Sequence, residues 1–246
     1  QIPLKMMKNI GIEYILSDIM GFSNFTSSNM LFLPASRTGL LLLYKYYFVN
    51  QDKKIEKIDV VTQSRQGIAE PVSDFLSFLM TYNYAERSAK KNQKLIRFIS
   101  NHLIDGRISE KGEATVYTPR STEKEIPLFA ASSMVNEVTP ILKALTDSKA
   151  VNFIFYDEVE TSLHPMKQIE MAKLLNRLNN SGIRLIISTH SDTMATRLNN
   201  LMLLSHGGLD FEKVQRSLRR QGIIVEKEDL LVSNSMHVYQ FENVSD

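Results

Sequence analysis

Two carboxylates stand side by side at Asp157-Glu158, directly after the apolar run Phe153-Ile154-Phe155-Tyr156. A histidine, His190, follows a second apolar run, Leu185-Ile186-Ile187. Adjacent acids repel each other, so their pairing at a strand end calls for a reason. Open α/β sheets bind ligands outside the carboxyl ends of their strands. A hydrated magnesium ion and a phosphate group would account for the pair there. The first acid would hold the metal, and the second would orient and deprotonate a water for attack on phosphorus. The same pair also suits the opening of a helix, where the macrodipole favours acids. His190 bears on the choice. If a helix joins the two runs as parallel neighbours, their C-terminal ends lie side by side. His190 then approaches the edge that carries Glu158, whereas a lone histidine after a strand more often has a structural role.

The elements that must position these groups are legible as alternating patterns. Leu31-Phe32-Leu33 reads as a short strand closed by Pro34, followed by an apolar stretch from Leu40 to Tyr47 with helical character. Residues 50–58 read as an exposed loop. Val72, Phe75, Leu76 and Leu79 recur at helical spacing from Pro71 onward. A second helix is expected from Glu86 to Leu103, capped by Gly106. Short strands follow, around Thr115-Val116-Tyr117 and Ile126 to Phe129. A helix is expected from Ser133 to Leu145 and a strand from Val151 to Tyr156. Another helix should run from Met166 to Leu178, with Pro165 in its first turn and Gly182 past its end. Ile183 to Ser188 completes the alternation, which predicts a mostly parallel sheet covered by helices. A helix over 211–221 and a late strand from Met236 to Phe241 are also expected.

Composition narrows the classes. Hydrophobic residues make up 43% of the 246 residues and charged residues 23%, a globular balance with enough apolar side chains for a sizeable core. No apolar run approaches the roughly 20 residues that cross a bilayer, so no membrane partner is expected. The absence of cysteine excludes disulfides, thiolate zinc sites and cysteine nucleophiles, and fits a reducing, cytoplasmic setting. A net charge of +2 does not by itself argue for nucleic acid. The cations are clustered, however. Arg87, Lys90, Lys91, Lys94 and Arg97 share one face of the second expected helix, and Lys213, Arg216, Arg219 and Arg220 form a similar stripe. Either stripe serves as a solvated face or as a contact for phosphates or an acidic partner. Neither has the interleaved aromatics that stack on single-stranded bases.

Together, Phe155-Tyr156-Asp157-Glu158-Val159-Glu160-Thr161-Ser162-Leu163-His164-Pro165 resembles the Walker B and D-loop of ABC-type ATPases. The nearest branch is the one that includes SMC-like, RecF-like and overcoming-lysogenization-defect (OLD) proteins. Ser188-Thr189-His190-Ser191 resembles their switch loop. Leu33-Pro34-Ala35-Ser36-Arg37 is similar to a segment of AAA-15/AAA-21 ATPases of phage-defence systems, and Ala131-Ser132-Ser133-Met134-Val135-Asn136-Glu137 to their signature segment. The resemblance spans about residues 31 to 205. It implies a P-loop NTPase fold of the ABC head type, with a helical insert over about 71–105. The implied cofactors are ATP and Mg²⁺, bound between two heads. Asp157 would hold the metal through water, Glu158 would be the general base, and His190 would sense the γ-phosphate. Ser133, with Asn136 beside it, would serve the partner's nucleotide from a helix N-terminus. Ser162 to His164 would couple the two sites.

Two departures accompany the resemblance. Met134 stands where the signature has a glycine that lets backbone approach phosphate. No Gly-x-x-x-x-Gly-Lys-Ser/Thr run occurs, so these 246 residues lack the loop that cradles phosphates. Family members carry that loop toward the N-terminus, and the chain starts at Gln1 without an initiator Met. The expectation is therefore the C-terminal part of one head (residues 1–246), its N-terminal lobe absent, with degeneracy as the alternative. The resemblance implies the ATPase subunit of a bacterial antiphage system, similar to those of Septu, PARIS or retron-associated operons. Such a subunit would control a separate effector, a nuclease or toxin. A DNA-repair ATPase of the SMC/RecF type and an inactive scaffold restraining a toxin are the rival readings. A metal-dependent hydrolase using Asp157, Glu158 and His190 as ligands is a further reading, poorly served by an adjacent acid pair without another histidine.

Overall fold

The computed structural model describes residues 30–44, 70–112, 114–206, 210–232 and 236–239. The expected loop at 50–58 and the first residues of the chain lie outside them, as do 45–47 of the expected helix. Among the described residues a three-stranded parallel sheet carries the acid pair. Its strands are β1 (Met30–Leu33), β5 (Phe153–Tyr156) and β6 (Arg184–Ile187), in the order β1-β5-β6. Leu33 pairs with Tyr156 and Tyr156 with Ile187, so all three strands stop at one level. Leu31, Leu33, Phe153, Ile154 and Tyr156 are buried, and Phe32 packs on Phe155 with ring centroids 5.3 Å apart. The residues of β6 are half-buried.

Helices flank this sheet. Helix α1 (Arg37–Tyr44) leaves the end of β1, and α2 (Glu70–Thr81) lies against β1. Helix α5 (Ser133–Thr146) opens on Ser132, whose side chain accepts from the Val135 N–H. Helix α6 (Pro165–Asn180) joins β5 to β6. It opens with Pro165 and is capped by His164, whose Nδ1 accepts from the Met166 N–H at 3.4 Å. Gly182, at φ +92°, ends it in the left-handed conformation that glycine adopts without strain, as the sequence predicts. Met171, Leu174, Leu175 and Leu178 form its buried stripe, each worth about 1.5–3 kcal/mol of burial. After β6 come α7 (Asp192–His206), which the sequence reading does not anticipate, and α8 (Phe211–Arg220), which it does.

The structure corrects four local readings. The second expected helix is in three pieces: α3 (Glu86–Lys91), α4 (Gln93–Phe98) and a π-helical turn over Ile99–Leu103. The break falls at Asn92, at φ −96° and ψ 14°, whose N–H still bonds to the Ser88 carbonyl at 2.9 Å and whose side-chain amide donates to the Leu145 carbonyl at 2.7 Å. Gly106 is not a cap but the first residue of a strand. A Cβ there would sit 2.5 Å from both the Thr118 carbonyl oxygen and the Tyr117 ring. The expected short strands are present as a separate antiparallel sheet, β2 (Gly106–Lys111), β3 (Ala114–Pro119) and β4 (Ile126–Pro127), but the run expected as strand to Phe129 stops at Pro127 and gives way to a 3₁₀ turn over Leu128–Ala130. Lys143 of α5 reaches Glu110 of β2 at 2.6 Å, an ion pair that ties this sheet to the helix. The fourth correction is at 236–239, which form no strand.

Candidate functional site

Because the three strands end together, Pro34, Asp157 and Ser188 follow at the same level. The Asp157 N–H donates to the Leu33 carbonyl at 2.9 Å, and the Ser188 N–H to the Tyr156 carbonyl at 3.0 Å. Ser188 then joins the two acid-bearing positions to the switch segment. Its hydroxyl donates to Asp157 Oδ1 at 2.5 Å and accepts from the Glu158 N–H at 2.8 Å. Asp157 and Glu158 are half-buried. Glu158 has φ +42°, a left-handed conformation that costs a glutamate of order 1–3 kcal/mol and needs surrounding structure to hold it. Strain of this kind concentrates at functional sites.

The loop after the acid pair is fastened to the switch segment at three points, the first being the Val159 N–H, which donates to the Ser188 carbonyl at 3.2 Å. Glu160 Oε1 accepts from the His190 N–H at 2.6 Å. Gln168 donates through Nε2 to the Leu163 carbonyl at 3.0 Å and accepts through Oε1 from the Ser191 hydroxyl at 2.5 Å. Leu163 is buried, whereas Ser162, at φ +60°, and His164 are exposed. His190 is exposed too, so its ring is open to a ligand. The Thr161 hydroxyl donates to Glu158 Oε2 at 3.3 Å.

Behind this edge lies a buried arginine. Arg37, at the start of α1, is 0% exposed. It donates through Nη1 to the carbonyls of Pro34 and Asp157, at 2.9 and 2.8 Å, and through Nη2 to that of Glu158 at 3.1 Å. Its Nε lies 2.5 Å from Oε2 of Glu137 on α5, and its guanidinium carbon is 4.6 Å from the Tyr156 ring centroid. Thr38 donates to the other Glu137 oxygen at 2.5 Å. Burial pushes the Glu137 carboxyl above the ordinary carboxylate range, and Arg37 and Thr38 pull it back. Burial likewise raises the Tyr156 phenol, with Arg37 opposing.

The signature segment is divided. Ser133 stands exposed in the first turn of α5, and Met134 is half-buried against the core. Asn136 is 2% exposed, and its amide donates to the Ala131 and Ser132 carbonyls at 3.3 and 3.2 Å. Its side-chain amide is thus engaged in shaping the turn before the helix. Arg87, Lys90, Lys91, Lys94 and Arg97 are all exposed, on two short helices, and Lys90 pairs with Glu86 at 2.8 Å. In the second stripe Lys213 meets Asp210 and Arg219 meets Glu226, as on a solvated face. A surface cleft of about 380 Å³ between α6 and α7, lined by Ile169, Thr196 and Arg197 among others, contains none of the acid-pair or switch residues.

Several of these groups are missing from a motif-based reading. Ser188, Glu160 and Gln168 fall inside or beside quoted motifs without an evident role. Arg37 carries only a resemblance. A weak signal exists for Arg37: it stands three residues after the proline that closes an apolar strand, and an arginine that becomes buried is rarely tolerated unless paired. Its acidic partner lies on α5, too far along the chain to be read from spacing.

Among the described residues no cluster of three or more His, Asp or Glu side chains forms a cage for a metal ion. Mg²⁺ is usually held by one or two carboxylates, with waters and substrate phosphates completing its shell. The donor set fits: Asp157 keeps a second carboxylate oxygen beyond its bond to Ser188, at a strand end open to ligand.

A parallel α/β sheet is flanked by helices and carries an acid pair and an exposed histidine at neighbouring strand ends. The AAA ATPase domain model (AAA-15) matches residues 49–195, and the chain belongs to that ATPase family. Among solved structures it is similar to the Smc head domain with an extended coiled coil bound to the C-terminal domain of ScpA, from Pyrococcus furiosus. The identity is 14%, over 66% of this chain and 44% of that one, at a TM-score of 0.32. The chain thus spans less than half the length of that structure. No curated protein matches it. No helix among the described residues is long and apolar enough to cross a membrane.

Proposed function

We propose that this chain supplies the hydrolytic edge of a Mg²⁺-dependent ATPase head that works as a dimer. The observation that carries the reading is the joining of the acid pair to the switch segment. Ser188 fixes both acid positions, and Glu160 holds the backbone of His190. Asp157 would hold the hydrated metal, and Mg²⁺ would neutralise charge on the phosphate oxygens. Glu158 takes the proton of the attacking water, and its backbone, held at the N–H by Ser188 and at the carbonyl by Arg37, aims the carboxylate. His190 donates to a terminal phosphate oxygen. Ser133, exposed at the start of α5, serves the nucleotide of the partner head, while buried Asn136 shapes the turn that presents it rather than touching the nucleotide as expected, and Ser162 and His164 face the partner's loop. The acceptance of ATP depends on a phosphate-cradling loop that these 246 residues do not include.

The finer reading is an ATPase subunit of a bacterial antiphage complex, cytoplasmic, sensing infection and restraining or releasing a separate nuclease or toxin. It is supported by the resemblance of Leu33 to Arg37 to that group. It is favoured over an SMC-like repair role because the helices over 70–103 are short, broken pieces with no long heptad seam. Nucleic acid contact through Arg87, Lys90, Lys91, Lys94 and Arg97 belongs to this proposal, their exposure being its support. The test is Glu158→Gln in the full-length protein, with its neighbouring effector, in cells challenged with phage. Loss of plaque reduction together with retained ATP binding supports the reading. Unchanged plaque reduction overturns it.

A further inference from the structure

The largest fully buried side chain among the described residues is a charged one, Arg37. Burying a guanidinium is costly unless each of its donors is met, and a lone buried charge destabilises by several kcal/mol. Here the fork is spent on the backbone. Two of its three carbonyl partners belong to Asp157 and Glu158, on the neighbouring strand end. Its remaining edge faces Glu137, one helical turn into α5 and close to the exposed Ser132-Ser133 turn. One planar group therefore spans the acid pair and the signature helix.

We propose that Arg37 is a positioning residue: it sets the Asp157-Glu158 backbone and, through Glu137, makes the acid pair and the N-terminal turns of α5 move as one body. The inference rests on the ATPase reading for its catalytic consequence. Glu158 sits at φ +42°, and its two flanking peptides are gripped from opposite sides, by Ser188 at the N–H and by Arg37 at the carbonyl. Fixing both peptides fixes the direction in which the carboxylate leaves the backbone. Small misplacements of a catalytic group cost rate far more than they cost binding. Lysine cannot substitute, because a single ammonium cannot reproduce a planar fork that donates to three carbonyls while its Nε edge lies against a carboxylate as an ion pair. A signature turn engaged by a partner's nucleotide would then be felt at this chain's own acid pair through a rigid contact.

The test uses Arg37→Lys, Glu137→Gln and the double variant in the full-length protein. ATP turnover is measured per folded molecule, with amide hydrogen exchange over residues 157–159 in the nucleotide-free state. In Arg37→Lys, kcat falls by roughly tenfold or more while KM stays within about twofold. Among the described residues Glu137 pairs with Arg37 and Thr38, on α1 and not on the acid-bearing loop, yet Glu137→Gln speeds exchange at the Asp157, Glu158 and Val159 amides. The double variant is no worse than the worse single variant, because both break one network. A merely structural arginine would lower the melting temperature and leave kcat per folded molecule unchanged, which overturns the proposal. Parent-like exchange over 157–159 in Glu137→Gln overturns it as well. A parent protein that turns over no ATP would sink the ATPase reading instead, and the exchange experiment would then decide alone whether Arg37 links the two elements.

Discussion

Replacing Ser188 by alanine removes a single oxygen that serves both acids. Two bonds are lost: the donation to Asp157 Oδ1 at 2.5 Å and the acceptance from the Glu158 N–H at 2.8 Å. Asp157 and Glu158 are half-buried, so water replaces part of each bond and the low end of the usual range applies. About 0.5 kcal/mol for the amide and about 1.5 kcal/mol for the bond to a carboxylate give a loss of about 2 kcal/mol. Glu158 adds to the sensitivity, because its left-handed conformation persists only while its neighbours over-determine it. Urea denaturation of the parent and of Ser188→Ala measures the loss directly, provided the slope with denaturant stays the same. Ser188→Thr keeps the hydroxyl and restores most of the stability. A loss below about 0.5 kcal/mol, the size of an ordinary surface substitution, would refute the bridging role.

Other consequences follow from the packing. Gly106→Ala forces a Cβ to within 2.5 Å of the Thr118 carbonyl oxygen, and overpacking of that kind costs about 1–3 kcal/mol, readable by thermal denaturation. Tyr82 donates to or accepts from the Thr146 hydroxyl at 2.9 Å, and burial pushes its phenol up to about 12, with the Glu110 and Asp147 carboxylates adding to the rise. A raised folded-state value means the neutral phenol is favoured by folding. Its contribution is fully present below the ordinary tyrosine value and is lost as pH rises through about 12. Loss of the Thr146 bond makes Tyr82→Phe about 0.5–1.5 kcal/mol less stable than the parent near neutrality, and the gap narrows across that alkaline window as the parent's phenol ionises; a constant gap would show that Tyr82 does not titrate in this way.

Much of the sheet is legible because apolar runs and their punctuation agree. Phe153 to Tyr156, Pro165 at the first turn of α6 and Gly182 after its last turn each specify a conformation locally. Helix α7 is less legible because Thr193, Arg197, Asn199 and Asn200 interrupt its apolar spacing, and only Met194, Leu198 and Leu201 are buried. Gly106 misleads because a glycine after a helix is usually a cap, whereas here a strand crossing at Thr118 demands the missing side chain. The side chain of Asn92, at the break, is held by a carbonyl of Leu145, a partner distant in sequence. The acid pair and His190 announce themselves by residue type. What holds them, Arg37 with Glu137, Ser188 and the Gln168 bridge, consists of contacts between elements and has no local pattern.

Single-turnover ATP hydrolysis by Glu158→Gln in the full-length protein bears most directly on the central claim. With Glu158 as the general base, ATP binding persists, the head dimer accumulates, and the chemical step slows by roughly a hundredfold or more. Hydrolysis at the parent's rate in Glu158→Gln would contradict the account.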